Sequence, residues 1–174
     1  MKKWLLQLVI VLIVLIAIGG TLLGVKIHKA NEQRKEFYAF REYLDKDYIP
    51  SLKKTSKYLS TVAEENQSYN LQTWMLINNG SEQNTKLEEN YQDFKEKLIN
   101  KNLQYKDSQL LKKNVVKTSN DIIEITKLID SFGSTSQFEP EGDPEAFAIL
   151  FNPKVDQVTK DINEMNKLLS KYYK

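Results

Sequence analysis

Apolar and polar residues divide the chain into one unbroken apolar run and a series of amphipathic stretches. The run, Trp4 to Val25, holds fifteen Leu, Ile and Val residues and no charged side chain. As a helix it spans about 33 Å, close to the roughly 30 Å hydrocarbon core of a bilayer. It predicts a transmembrane helix that contacts the lipid bilayer through residues 4–25. Lys2 and Lys3 precede it, and Trp4 stands at its edge, where an amphipathic ring is favoured. A cleaved secretory signal would share the charged start. Here the run continues through Leu22, Leu23 and Val25 with no Ala-x-Ala after it, which favours an uncleaved signal-anchor. Gly20 and Gly24 share a helical face with Ala17 and Thr21. Small residues in that arrangement let two helix backbones approach, so the pair is a candidate self-association contact in the membrane; glycine is also simply common in membrane helices.

Beyond the run the apolar period is helical throughout. Phe37, Phe40, Leu44, Tyr48, Leu52, Thr55, Leu59 and Val62 recur every three or four residues, predicting one long helix over about 26–65 with a kink at Pro50. Leu87, Tyr91, Phe94 and Leu98 mark a second helix over about 70–101, interrupted near Asn78-Asn79-Gly80. Leu111, Val115, Thr118, Ile122, Ile125, Ile129 and Phe132 alternate steps of four and three in a coiled-coil-like seam. That third helix, about 108–132, has Asp107 or Ser108 as its expected cap and Gly133 as its stop. After the loop 133–143, Asp143-Pro144-Glu145 reads as a helix start, and Asn152-Pro153 repeats the signal. Val155, Val158, Ile162, Met165, Leu169 and Tyr172 then carry a fourth helix, 144–172 in all. No alternating strand pattern occurs.

The fold class expected is all-α: one N-terminal transmembrane helix in a first segment, 1–25, followed by an antiparallel bundle of about four helices over 26–174. Each stripe is too narrow for a helix buried all round and too long to leave in water, and packing four together resolves this. Up-down-up-down order would bring the end of the chain back towards the membrane.

Charge sharpens this picture. The whole chain carries 25 Lys and Arg against 23 Asp and Glu, and the excess of +2 equals the contribution of Lys2 and Lys3. The segment after residue 25 is therefore neutral, which argues against a nucleic-acid binder. Five basic residues follow the apolar run closely (Lys26, Lys29, Arg34, Lys35, Arg41) against two before it, a count that favours a cytoplasmic bundle. The short Lys-Lys start followed by a long apolar run favours the opposite, and long domains translocate largely regardless of charge. The bundle is expected outside the cytoplasm, on a single-pass protein of the cell membrane. Absence of cysteine removes disulfides, thiol catalysis and cysteine metal sites.

Candidate chemistry is sparse. His28, the one histidine, sits beside Lys26 and Lys29 and reads as a juxtamembrane polar residue. Glu139, Glu141, Asp143 and Glu145 alternate in the loop without the Gly and Glu spacing of an EF-hand. Ser51-Leu52-Lys53-Lys54 contains Ser-x-x-Lys without its companion motifs, and no phosphate-cradling glycine loop exists. No catalytic residue, cofactor or metal site is therefore assigned, and no enzyme activity is expected. Two apolar stretches stand out, Leu71 to Ile77 and Ala146 to Phe151. Trp74, Met75, Phe147 and Phe151 within them either cap the open end of the bundle or form a partner surface.

These readings point to a membrane-anchored helical interaction or scaffold protein. It would be an accessory subunit of a bacterial cell-envelope assembly of the secretion, conjugation or division type, with protein partners or further copies of itself. The alternative is an extracytoplasmic ligand-sensing four-helix bundle acting through a separate signalling partner. A sensor should show a cavity between helices, and a scaffold an exposed apolar patch.

Overall fold

The computed structural model describes residues 27–68, 71–133 and 144–171. The predicted transmembrane helix, with Gly20 and Gly24, lies outside the described residues, as do Glu139, Glu141, Asp143 and Tyr172. Among the described residues all regular structure is helical, and no helix is long and apolar enough to cross a membrane.

The helices are α1 (27–46), α2 (Tyr48–Gln67), α3 (Leu71–Ile77), α4 (Gly80–Ile99), α5 (Lys106–Gly133) and α6 (Pro144–Ser170). The kink expected at Pro50 is a break three residues earlier. Asp47 leaves helical geometry and α2 restarts at Tyr48, with Ser51 N–H donating to the Asp47 carbonyl. Pro50 thereby falls in a first turn, where its missing N–H has no intrahelical partner to lose. The apolar stripe nevertheless crosses the break: Phe37, Phe40, Leu44, Tyr48, Leu52, Thr55, Leu59 and Val62 are all buried.

At the second interruption Asn79, not Gly80, takes the left-handed conformation, with φ 51°. Gly80 is needed for another reason. A Cβ there would overlap the thioether of Met75, which folds back from α3 over both Gly80 and Gly133. Gly133 is the last residue of α5 and has no positive φ, so its smallness serves close approach and not a left-handed cap. Asn152-Pro153 starts no helix either. Pro153 lies inside α6, where it removes the bond to the Ile149 carbonyl.

Cross-helix partners give the topology. From α2 to α4, Ser51 meets Asn90 and Thr55 meets Tyr91 at one level while Tyr58, further along α2, meets Asn84, further back along α4, so the two helices run in opposite senses. The α4–α5 pairs Asn84–Asp130 and Glu88–Lys127 run in opposite senses too, as do Lys117–Asp161 and Glu124–Lys154 between α5 and α6. The bundle is up-down-up-down, with α1 and α2 as its first rod. α5 is its spine, packed along both α4 and α6. It buries Leu111, Val115, Ile122, Ile125 and Ile129.

The two ends are tied differently. At the α1 end, Glu36 accepts the N–H groups of Gln104 (2.7 Å) and Tyr105 (3.1 Å), satisfying donors at the start of α5. The cap expected from Asp107 or Ser108, both of which lie inside α5, thus comes from another helix. Asp107 instead accepts from Lys171 (2.7 Å) and Gln33 (3.4 Å), which brings the end of α6 back beside the beginning of α1. At the distal end, Asn66 donates to the Pro144 carbonyl and Gln72 to the Phe132 carbonyl, joining α2 to α6 and α3 to α5.

Between the ends runs a buried polar ladder. Tyr48 Oη donates to the Val115 carbonyl (3.1 Å), Thr55 and Tyr91 share a hydrogen bond (2.8 Å), and Tyr58 Oη donates to Asn84 Oδ1 (2.7 Å). Asn84 Nδ2 continues to Asp130 (2.7 Å). Desolvation raises the pKa of all three tyrosines, so they stay protonated donors across the physiological range. Each hydrogen bond fixes a rotation that apolar contact alone leaves free.

Candidate functional site

The distal end holds the two apolar stretches singled out in the sequence. α3 is two turns long, so Leu71 and Met75, four apart, point inward and are buried. Phe147 and Phe151 repeat that spacing at the start of α6 and are buried as well. Phe147 is flanked by Phe132, at 5.0 Å between ring centroids, and by Phe151, at 4.8 Å. Trp74 is half-buried and leans on Tyr58 at 6.0 Å. Of the four side chains read as either a cap on the bundle or a partner surface, Met75, Phe147 and Phe151 face the core, and Trp74 is partly covered.

The exposed apolar groups are their neighbours. Leu76 is 66% exposed, Ile77 75%, Ile149 71% and Leu150 50%. Ile77 and Ile149 lie two residues beyond Met75 and Phe147, which turns them to the opposite helix face, while Leu76 and Leu150 sit on the flank between. A run apolar on all sides has no phase of its own, so the sequence could not show which residues turn outward. The i, i+4 pairs Leu71–Met75 and Phe147–Phe151 were the available signal.

A second feature lies along the bundle. α2 and α6 diverge enough to leave a groove of about 320 Å³. Leu59, Ile122, Phe151 and Val158 are among its apolar lining, with the hydroxyls of Thr55, Ser56, Ser60 and Thr159 beside them. Asp156 is the one charged lining residue.

A third lies between α5 and α6. Asp161 is only 2% exposed. Its Oδ1 accepts from Lys117 Nζ (2.7 Å) and Gln157 Nε2 (2.8 Å), while its Oδ2 is buried and has no hydrogen-bond partner. Asp121 Oδ2 is in the same state. Asp121 lies within the reach of the Asp161 carboxyl, which acts on it both as a hydrogen-bond partner and as a charge. Burial, then hydrogen bonding to Asp161, then the charge of Asp161 push Asp121 up to about 6, against the opposing Lys117.

Among the described residues no three His, Asp or Glu side chains are grouped to hold a metal ion. His28 is exposed on α1. Leu52 of the Ser-x-x-Lys stretch is buried and its Lys54 is exposed. Comparison with family models, curated proteins and solved structures returns no match to this chain.

Proposed function

We propose that the chain is a membrane-anchored helical interaction module, an accessory or scaffold subunit of a bacterial cell-envelope assembly, held by residues 4–25 with its bundle outside the cytoplasm. The observation that carries this reading is the position of the exposed aliphatic groups. Leu76, Ile77, Ile149 and Leu150 lie at the end of the bundle opposite residue 27. The rod from 27 to 67 is about 60 Å long. Exposed aliphatic groups at its far end are out of reach of the bilayer that would hold its near end, so lipid from the same membrane cannot cover them. A protein surface with an apolar centre can.

The test is a variant carrying Leu76→Ser, Ile77→Ser, Ile149→Ser and Leu150→Ser. These side chains are exposed already, so each change should alter folding stability by less than about 0.5 kcal/mol. Membranes solubilised in mild detergent should yield the wild-type chain in a complex with its partner and the variant without it. An intact complex in a normally folded variant overturns the proposal.

The groove between α2 and α6 favours a second reading, the ligand-sensing bundle. Its apolar lining and single carboxylate suit a small apolar ligand, neutral or cationic, and disfavour an anion. A sensor of this kind gains thermal stability with such a ligand, and filling the groove with Ala63→Phe removes that gain.

A further inference from the structure

The α5–α6 interface holds two acidic side chains where a helical bundle ordinarily places aliphatic ones. We propose that Asp121 and Asp161 form a proton-sharing latch that holds α6 against α5 in mildly acidic conditions and loosens it as the pH rises towards neutrality.

The geometry requires a proton there. Both Oδ2 atoms are buried and without any other hydrogen-bond partner. Two carboxylates cannot hydrogen-bond to each other, whereas a carboxylic acid and a carboxylate can. Lys117 and Gln157 both donate to Asp161 Oδ1, so the donors of this interface are already spent on the Asp161 side. The proton therefore belongs on Asp121, donated towards Asp161 Oδ2. When it leaves, two negative charges act on each other in a partly desolvated interface, with one half-exposed ammonium paired to Asp161.

Among the described residues, Lys117 is the cation that acts on Asp121. On α5, Glu124 adds negative charge near Asp121, and it is itself held by Lys154 of α6 (2.8 Å). On α6, Glu164 acts on Lys117. From α2, Tyr48 senses Asp161, and burial keeps its phenol protonated. On α4, Glu88 is engaged with Lys127 of α5 (3.2 Å).

The sign follows from proton uptake. Between the ordinary Asp value of 3.8 and about 6, the folded chain holds a proton that the unfolded chain has released. The latch is complete below that window and lost as pH rises through about 6. α6 also supplies Ile149, Leu150 and one wall of the groove, so the proton acts on the element that both exposed features share.

Hydrogen exchange of the α6 amides in the full chain in detergent, at about pH 5 and about pH 7.5 with the intrinsic rate corrected, tests this. Asp121→Asn supplies an amide that donates to Asp161 without titrating. Relative to wild type, it should slow α6 opening about tenfold at the higher pH and leave it unchanged at the lower. Asp161→Asn places the donor on the other side and should remove the same pH step. Should either variant fail to fold, the other still decides. A pH step in α6 that persists unchanged in a folded variant overturns the latch, as does a step of equal size in every helix.

Discussion

Asn84 is the join between three helices, and its removal has a size that can be worked out. Its side chain is completely buried, accepts from Tyr58 of α2 at 2.7 Å and donates to Asp130 of α5 at 2.7 Å. Asn84→Ala leaves the Tyr58 hydroxyl with only a distant thioether, Met75 Sδ at 4.0 Å. Asp130 keeps the Ser81 hydroxyl at 3.2 Å. Loss of the neutral bond is worth about 1 kcal/mol, and loss of the charge-assisted one about 1.5 kcal/mol, because Asp130 is half-exposed and retains a donor. The total of about 2.5 kcal/mol corresponds to a fall of about 5–10 °C in the thermal midpoint of a bundle this size. Far-UV circular dichroism of the full chain in detergent, followed with temperature and with urea, measures it. Tyr58→Phe alone should cost about 1 kcal/mol, and the double variant should cost about 1 kcal/mol less than the sum. Asn84→Leu, which fills the volume but satisfies neither partner, should be as harmful as alanine. A fall below about 2 °C, strict additivity with Tyr58→Phe, or a stabilising leucine would refute the join.

Other perturbations have separate readouts. Glu36→Gln weakens the cap on α5 and should cost about 1 kcal/mol at neutral pH. Burial alone would raise the Glu36 pKa, but the N–H groups of Gln104 and Tyr105 outweigh it and the net shift is downward. Its contribution is therefore present above the ordinary value of 4.5 and lost as pH falls through the lowered one, so the glutamine variant should lose less stability on acidification, measured by urea midpoint against pH. Gly80→Ala should destabilise by about 1–3 kcal/mol because the thioether of Met75 must move, and Gly133→Ala by less because only the flexible Met75 Cε lies at 3.0 Å; paired thermal melts check the order. Phe147→Ala, which empties the space between Phe132 and Phe151, should cost about 3–5 kcal/mol by urea titration. Lys53→Cys creates one thiol on an exposed face of α2, and a membrane-impermeant reagent should label it in intact cells if the bundle lies outside the cytoplasm.

What the sequence disclosed depends on whether the cause is local. The seams were legible because burial of a helix face imposes steps of three and four on neighbours in the chain, whatever packs against them. Thr55 fell in the first stripe on spacing alone, and its burial beside Tyr91 explains a hydroxyl in an apolar position. Features with distant causes were illegible. The cap on α5 is supplied by Glu36, sixty-eight residues before Gln104, and no local motif announces it. Asn152-Pro153 resembles a helix start, yet packing of Phe151 and Val158 on the same core carries α6 through it. The acidic pair left a faint trace. Asp121 immediately precedes Ile122 of one seam and Asp161 precedes Ile162 of another, equivalent flanking positions that antiparallel pairing brings together. The exposed apolar groups were within reach of the sequence in kind but not in phase, since Leu76 and Ile149 differ from their buried neighbours only in direction.

The most direct test of the interaction role is site-specific photocross-linking in living cells. A photoreactive amino acid would replace Ile77 or Ile149 at the distal end and, as controls, Lys57 of α2 or Glu96 of α4, which are exposed and polar. Irradiation should give one discrete higher-mass adduct from positions 77 and 149 and none from 57 and 96. No adduct from the distal positions, or the same adducts from all four, would contradict a partner seated on the far end of the bundle.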